Sequence, residues 1–208
     1  MGAVTSSRNR SGQYRRTRAI PTQPRTAAQL AARARLTSLS AGWRGLTDEQ
    51  RASWNAFGGS FTVVNSLGQS VNLTGAQCYV KVNAVNLLNG DSAVDTPPAL
   101  PAFAALAITG FTAAAGTPAV SVAGDAPASG TDYMLYFSPQ ASPGISYNSR
   151  YRWILVSTSV DTYPLDVTAE YVAKFGTLVA GKKIFLKVVQ SQAGMQDSGT
   201  VFTAIVGA

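Results

Sequence analysis

The chain has 208 residues, of which 46% are hydrophobic and 13% charged, with a net charge of +7. That length suffices for one sizeable domain with appendages or for two small ones, and a charged share about half the usual points to a surface partly covered by neighbours. Histidine is absent and Cys78 is the single cysteine, which excludes histidine-dependent catalysis, His-containing metal sites and an intrachain disulfide.

The charge is unevenly spread. Residues 1–47 carry nine Arg and no acid, while residues 48–208 carry eight Lys/Arg and ten Asp/Glu, so a +9 segment precedes a −2 body. No apolar run approaches a membrane span, and the basic N-terminus lacks the apolar stretch of a secretory signal. Synthesis in a cytoplasm, with no membrane partner, is the expectation.

Residues 1–25 show neither helical nor strand periodicity and are rich in Ser, Gly, Arg and Pro. Pro21 and Pro24 favour extended backbone. With almost no apolar surface, this segment is expected to be an extended basic arm, disordered in isolation. At Thr26 the pattern changes. "TAAQ" is a capping box, and a helix is predicted from there to about Trp43, with Leu36, Leu39 and Trp43 on one face. A second box, "TDEQ" at Thr47, opens a short helix to about Phe57, with Asp48 and Glu49 where the helix dipole favours acids. "FTVVNSLGQSVNL" reads as a β-hairpin turning near Ser66, Leu67 and Gly68. A third box, "TGAQ" at Thr74, opens a helix to about Leu88. This helical section with its hairpin spans residues 26–92. Residues 93–103 form a Pro-rich linker containing Pro97, Pro98 and Pro101.

Residues 104–208 read as all-β. "ALAITGF", "PAVSVAGD", "DYMLYFSP", "YRWILVSTSV", "KKIFLKVVQS" and "GTVFTAIV" are strand-like, with "LDVTAEYVAKFG" offering a short helix or turn. Short strands at this spacing predict a two-sheet β-sandwich, so the fold class expected overall is α+β.

Candidate chemistry is sparse. Cys78 lies among Tyr79, Val80 and Val82 and reads as a buried, unreactive thiol. Asp48 and Glu49 are explained by the helix dipole. Asp166 and Glu170 stand four apart on the predicted helix, as a solvated face. "RYRW" mixes base and aromatic as a nucleic-acid platform does, but in a strand Tyr151, Trp153 and Leu155 would face the core with Arg150 and Arg152 opposite. The expectation is therefore a protein that is not an enzyme and needs no cofactor or metal.

Two resemblances add to this. "LVAGKKIFLKV" resembles the approach to the F strand of fibronectin type III domains, through Leu178 and Gly181, which implies an immunoglobulin-like β-sandwich over residues 104–208. Ile184 stands at the position of the corner tyrosine, so that family's corner hydrogen bond is not expected. Residues 8–90 resemble a group of phage and prophage proteins. The shared pattern is an Arg-rich start, then Pro24, Thr26 and Gln29, Trp43, Leu46-Thr47, Gln50-Arg51, Trp54, and Leu73-Thr74-Gly75. That resemblance implies a bacteriophage virion structural protein, made in the bacterial host and located in the virion.

Three roles for the arm are open: contacts with neighbouring subunits, binding of nucleic-acid phosphates, or a solvated tail. Assembly is favoured because all the charge is Arg, which suits planar, partly buried contacts, and because Tyr14, Ile20 and the prolines can dock in grooves. The expected assembly contacts are Arg8, Arg10, Tyr14, Arg15, Arg16, Arg18, Ile20 and Arg25, with capsid or other virion proteins as partners and many copies per particle. The role expected first is an auxiliary capsid (decoration or cement) protein, with a tail, connector or fibre-attachment component second. Outside that class stands a phage nucleic-acid-binding protein, with Arg15, Arg16 and Arg18 on phosphates.

Overall fold

The structure is a computed structural model that describes residues 4–20 and 22–208; Pro21, expected in extended backbone, lies outside them. The chain divides into two compact units, one ending at Pro98 and the other spanning Ala99–Ala208. Among the described residues, four helices and several antiparallel sheets make it a mixed α+β fold.

The first unit opens on an antiparallel hairpin, β1 (Val4–Asn9) and β2 (Gly12–Thr17), in register from Val4↔Thr17 to Asn9↔Gly12. The featureless extended arm expected over residues 1–25 is thus paired over most of its first part. The turn explains how: Asn9 Oδ1 accepts from Ser11 N at 2.9 Å, and Gly12 takes φ +114°, which only glycine adopts without strain. Val4, Thr5, Tyr14 and Thr17 supply strand propensity. Every described hairpin residue is exposed except Thr5 and Gly12, which are half-buried. With no buried face there is no apolar alternation for the sequence to display.

Three helices follow, α1 (Ala27–Gly45), α2 (Asp48–Gly58) and α3 (Gly75–Asn89), with the hairpin β3 (Thr62–Val64) and β4 (Ser70–Asn72) between the last two. All three predicted capping boxes form, at Thr26/Gln29, Thr47/Gln50 and Thr74/Gln77, each satisfying two backbone donors otherwise left over. Leu36 departs from expectation. It is 50% exposed while Leu39 is buried, and further along α1 Trp43 packs on Tyr79 of α3 at 5.7 Å. Trp54, fully buried, sets its edge against Tyr79 and Phe57 at 5.5 and 5.6 Å. Burying one such large side chain is worth about 1.5–3 kcal/mol. The α2–α3 contact needs Gly75: a Cβ there would lie 2.3 Å from Asn55 Oδ1, which instead accepts from Gly75 N.

Part of the predicted linker belongs to this unit. Asn83, wholly buried, brackets Val94 with two hydrogen bonds, at 2.7 and 3.0 Å, and Trp54 Nε1 donates to Asp95 O at 2.8 Å.

The second unit contains β5 (Ile108–Ala114), β6 (Ala119–Gly124), β7 (Thr131–Phe137), β8 (Arg152–Ser157), β9 (Leu165–Asp166), α4 (Thr168–Phe175), β10 (Lys183–Gln192), β11 (Met195–Gln196) and β12 (Thr200–Ile205). One sheet runs β5-β6-β9. The other runs β8-β7-β10, with β11 and β12 both paired to β10. All these pairings are antiparallel. Alternate residues of both sheets fill one core: Phe111, Val120 and Val122 from the first, Leu135, Phe137, Ile184, Leu186 and Val188 from the second. Tyr171 of α4 enters the same core, and its hydroxyl donates to Ser138 O at 3.2 Å. Burial pushes that phenol well above its ordinary pKa.

The predicted core face of "RYRW" is corrected. The β7–β8 register passes from Leu135↔Leu155 to Tyr136↔Trp153, leaving Ile154 as an extra residue. This bulge turns Ile154 into the core and leaves Trp153 38% exposed, beneath Lys174, whose Nζ lies 4.8 Å from the ring centroid.

Candidate interaction surface

Pairing in β1–β2 sorts the arm's side chains, since directly opposed residues share a face. Arg8 with Gln13, and Arg15 with Ser6, lie on one face; Arg16 with Thr5, and Tyr14 with Ser7, lie on the other. Arg10 sits in the turn. Arg18, Ile20 and Arg25 follow the hairpin, and Ile20 is 85% exposed. The eight residues predicted as contacts therefore form a two-faced ribbon with a trailing segment, not one patch. Of the phosphate candidates, Arg15 and Arg16 fall on opposite faces and Arg18 beyond the strand.

The electrostatics of this ribbon are one-sided. Among the described residues the ion pair is Arg51–Asp48, at 3.1 Å within α2, so no arm guanidinium has an acid partner there. Guanidinium groups stay charged at any physiological pH and present fixed donors that match carboxylate or phosphate. A groove of about 630 Å³ runs beside Arg8, Gln13, Tyr14 and Arg15. Among the described residues the ribbon has two strands, so each outer edge offers a row of backbone donors and acceptors to an incoming strand.

A second exposed hairpin was legible as structure but not as surface. In β3–β4, Val63, Val64 and Val71 are exposed, as is Leu67 in the turn. The two hairpins approach each other: a Cβ on Gly68 would lie 3.1 Å from Arg10 Nε.

The remaining candidates resolve individually. Cys78 is 1% exposed, and burial pushes its thiol pKa up. Asp48 holds Arg51 and opens α2 with Glu49. Asp166 and Glu170 do not share a helix, contrary to expectation. Asp166 ends β9 and accepts from Thr168 N at 2.9 Å and Thr168 Oγ1 at 2.5 Å, bonds that hold its carboxyl below the usual range. Arg152 is exposed, as expected, and lies 6.0 Å from the Phe175 ring.

Among the described residues, no three of His, Cys, Asp and Glu gather as a metal site, and no helix is long and apolar enough to cross a membrane. Comparison with protein families, characterised proteins and solved structures finds no match to this chain.

Proposed function

We propose that this chain is a non-enzymatic structural component of a bacteriophage particle, an auxiliary capsid protein gripping its neighbours through the N-terminal hairpin. The observation that carries this reading is the hairpin itself: acid-free, exposed on both faces, and open at both edges. An isolated two-stranded hairpin is marginal in water. A neighbouring subunit that extends an edge and sets carboxylates opposite Arg8, Arg15 and Arg16 supplies what it lacks. The resemblance of residues 8–90 to phage proteins supports placing that neighbour in a virion. Bound in many copies, the protein would add non-covalent interface that opposes expansion of the lattice.

In the same reading the second unit is a fibronectin III-like sandwich that projects from or bridges the lattice. Two antiparallel sheets, β5-β6-β9 and β8-β7-β10-β12, sharing one core support it. With Ile184 at the corner position, Tyr171 takes over the anchoring of a phenol to backbone, at Ser138.

A nucleic-acid role is favoured by one feature: a two-stranded ribbon is of a size the major groove admits. A tail or connector location uses the same contacts as the capsid one. Mass spectrometry of purified particles tests the proposal. A fixed copy number per particle is expected, and a protein abundant in infected cells yet missing from particles would refute it.

A further inference from the structure

The outer face of the larger sheet carries a cleft to which an assembly role assigns nothing. It encloses about 630 Å³ between residues 146–151, β10 and β12, within the range of about 300–1,000 Å³ seen for small-molecule sites. The alternation of β10 sets its floor. Ile184, Leu186 and Val188 point to the core, so Phe185 and Lys187 point out. Tyr147 stands on the rim, 77% exposed. Tyr151 is half-buried behind it, and burial together with the neighbouring Tyr147 phenol pushes its pKa up. The Tyr151 phenol is therefore protonated near neutral pH, and each phenol hydroxyl can donate and accept.

The cleft is built rather than incidental. Asn148 Oδ1 accepts from Arg150 N at 2.7 Å, which fixes the turn bearing the two tyrosines. Gly199, at φ +75°, lets the β11–β12 connection lie directly over Lys187, for a Cβ there would be 2.6 Å from Lys187 Cε. No acid lines the cleft, and Lys187 has no ion pair among the described residues.

These groups specify a ligand chemistry. Hydroxyls of Ser149 and Thr203 and the two phenols want a partner rich in donors and acceptors; an apolar ligand would leave them unpaired. An exposed tyrosine ring offers an apolar face beside a polar tip, which suits the flat C–H side of a sugar ring. An unpaired ammonium wants an anion. We infer that the cleft binds an acidic saccharide, with its carboxylate at Lys187 and a ring face on Tyr147.

The test is the full chain on an array of sialylated, uronate-containing and neutral glycans. Acidic glycans should be retained over neutral ones, and Lys187→Met should weaken that retention about tenfold, as loss of one charge-assisted hydrogen bond predicts. Tyr147→Ala, at an exposed position that cannot unsettle the fold, should weaken it too. Retention through the arginine hairpin would be indifferent to both substitutions. That outcome overturns the inference, and so does an array on which no acidic glycan exceeds the neutral ones. The cleft lies wholly in the second unit, so the result stands whether or not the protein proves to be a particle component.

Discussion

Removing residues 1–25 separates the grip from the fold. In the hairpin only Thr5 and Gly12 are even half-buried, and no residue of it joins a core. The deletion should therefore cost no more than a surface substitution, about 0.5 kcal/mol, or a shift of roughly 1–2 °C in Tm for a chain of this size. Binding to empty shells should nevertheless be lost, since the deletion removes six arginines and both open strand edges. A salt series identifies the partner. Six guanidinium groups on duplex phosphates give a log–log slope near −5, a loss of about a thousandfold between 50 and 200 mM salt. Docking on protein, where Tyr14, Ile20 and edge hydrogen bonds contribute, should fall much less, because only the charged part is screened. Binding of full-length and truncated chains to empty shells and to free duplex DNA is the assay. Equal shell binding by both forms would refute the grip. Steep binding to DNA with none to shells would hand the arm to nucleic acid.

Three further outcomes follow from the packing. The fragment Ala99–Ala208 should melt cooperatively as a β-rich domain, because its core is built entirely from residues of that same unit; a helix-dominated far-UV spectrum or a non-cooperative melt would contradict this. Gly75→Ala should destabilise the first unit by about 1–3 kcal/mol through overpacking against Asn55, as read by chemical denaturation, and an unchanged midpoint would show that α3 can shift freely. Asp166 titrates below its unfolded value, so its contribution is complete above about pH 4 and fades as pH falls through the lowered folded value. Asp166→Asn should flatten that acid-side loss in a Tm-against-pH series while leaving particle assembly and infectivity unchanged; lost infectivity with intact assembly would reveal chemistry at Asp166.

Local signals were readable where the physics is local. Each capping box is a Thr with a Gln three residues on, and neither partner depends on the rest of the chain, so all three helix starts could be placed. In the second unit β6 and β12 alternate more and less buried residues, so their period shows in the sequence, while β7 and β10 bury consecutive residues and show instead as apolar runs. The hairpin β1–β2 buries neither face and leaves no such trace. Strand alternation in "RYRWILV" puts Trp153 on the core side because nothing in it marks Ile154 as a bulge; the extra residue exists only relative to β7. Leu36 has the right spacing, but how far α3 reaches along α1 is a tertiary matter. The hold on residues 94 and 95 depends on Asn83 and Trp54, eleven and forty-one positions away. The cleft above Lys187 joins side chains from three separate stretches, and no single stretch announces it.

The two exposed hairpins differ in how they meet a second copy of the chain. An open edge invites self-pairing, and charged side chains along it are the usual safeguard. In β1–β2 the arginines repel those of a second copy, so in the proposed role the hairpin would discriminate between an acidic partner and a duplicate. In β3–β4 no residue from Thr62 to Asn72 is charged, while Val63, Val64 and Val71 face solvent. When chains outnumber the sites waiting for them, clumping should begin at this second hairpin. Concentrated salt, which silences the arginines, would then add the first.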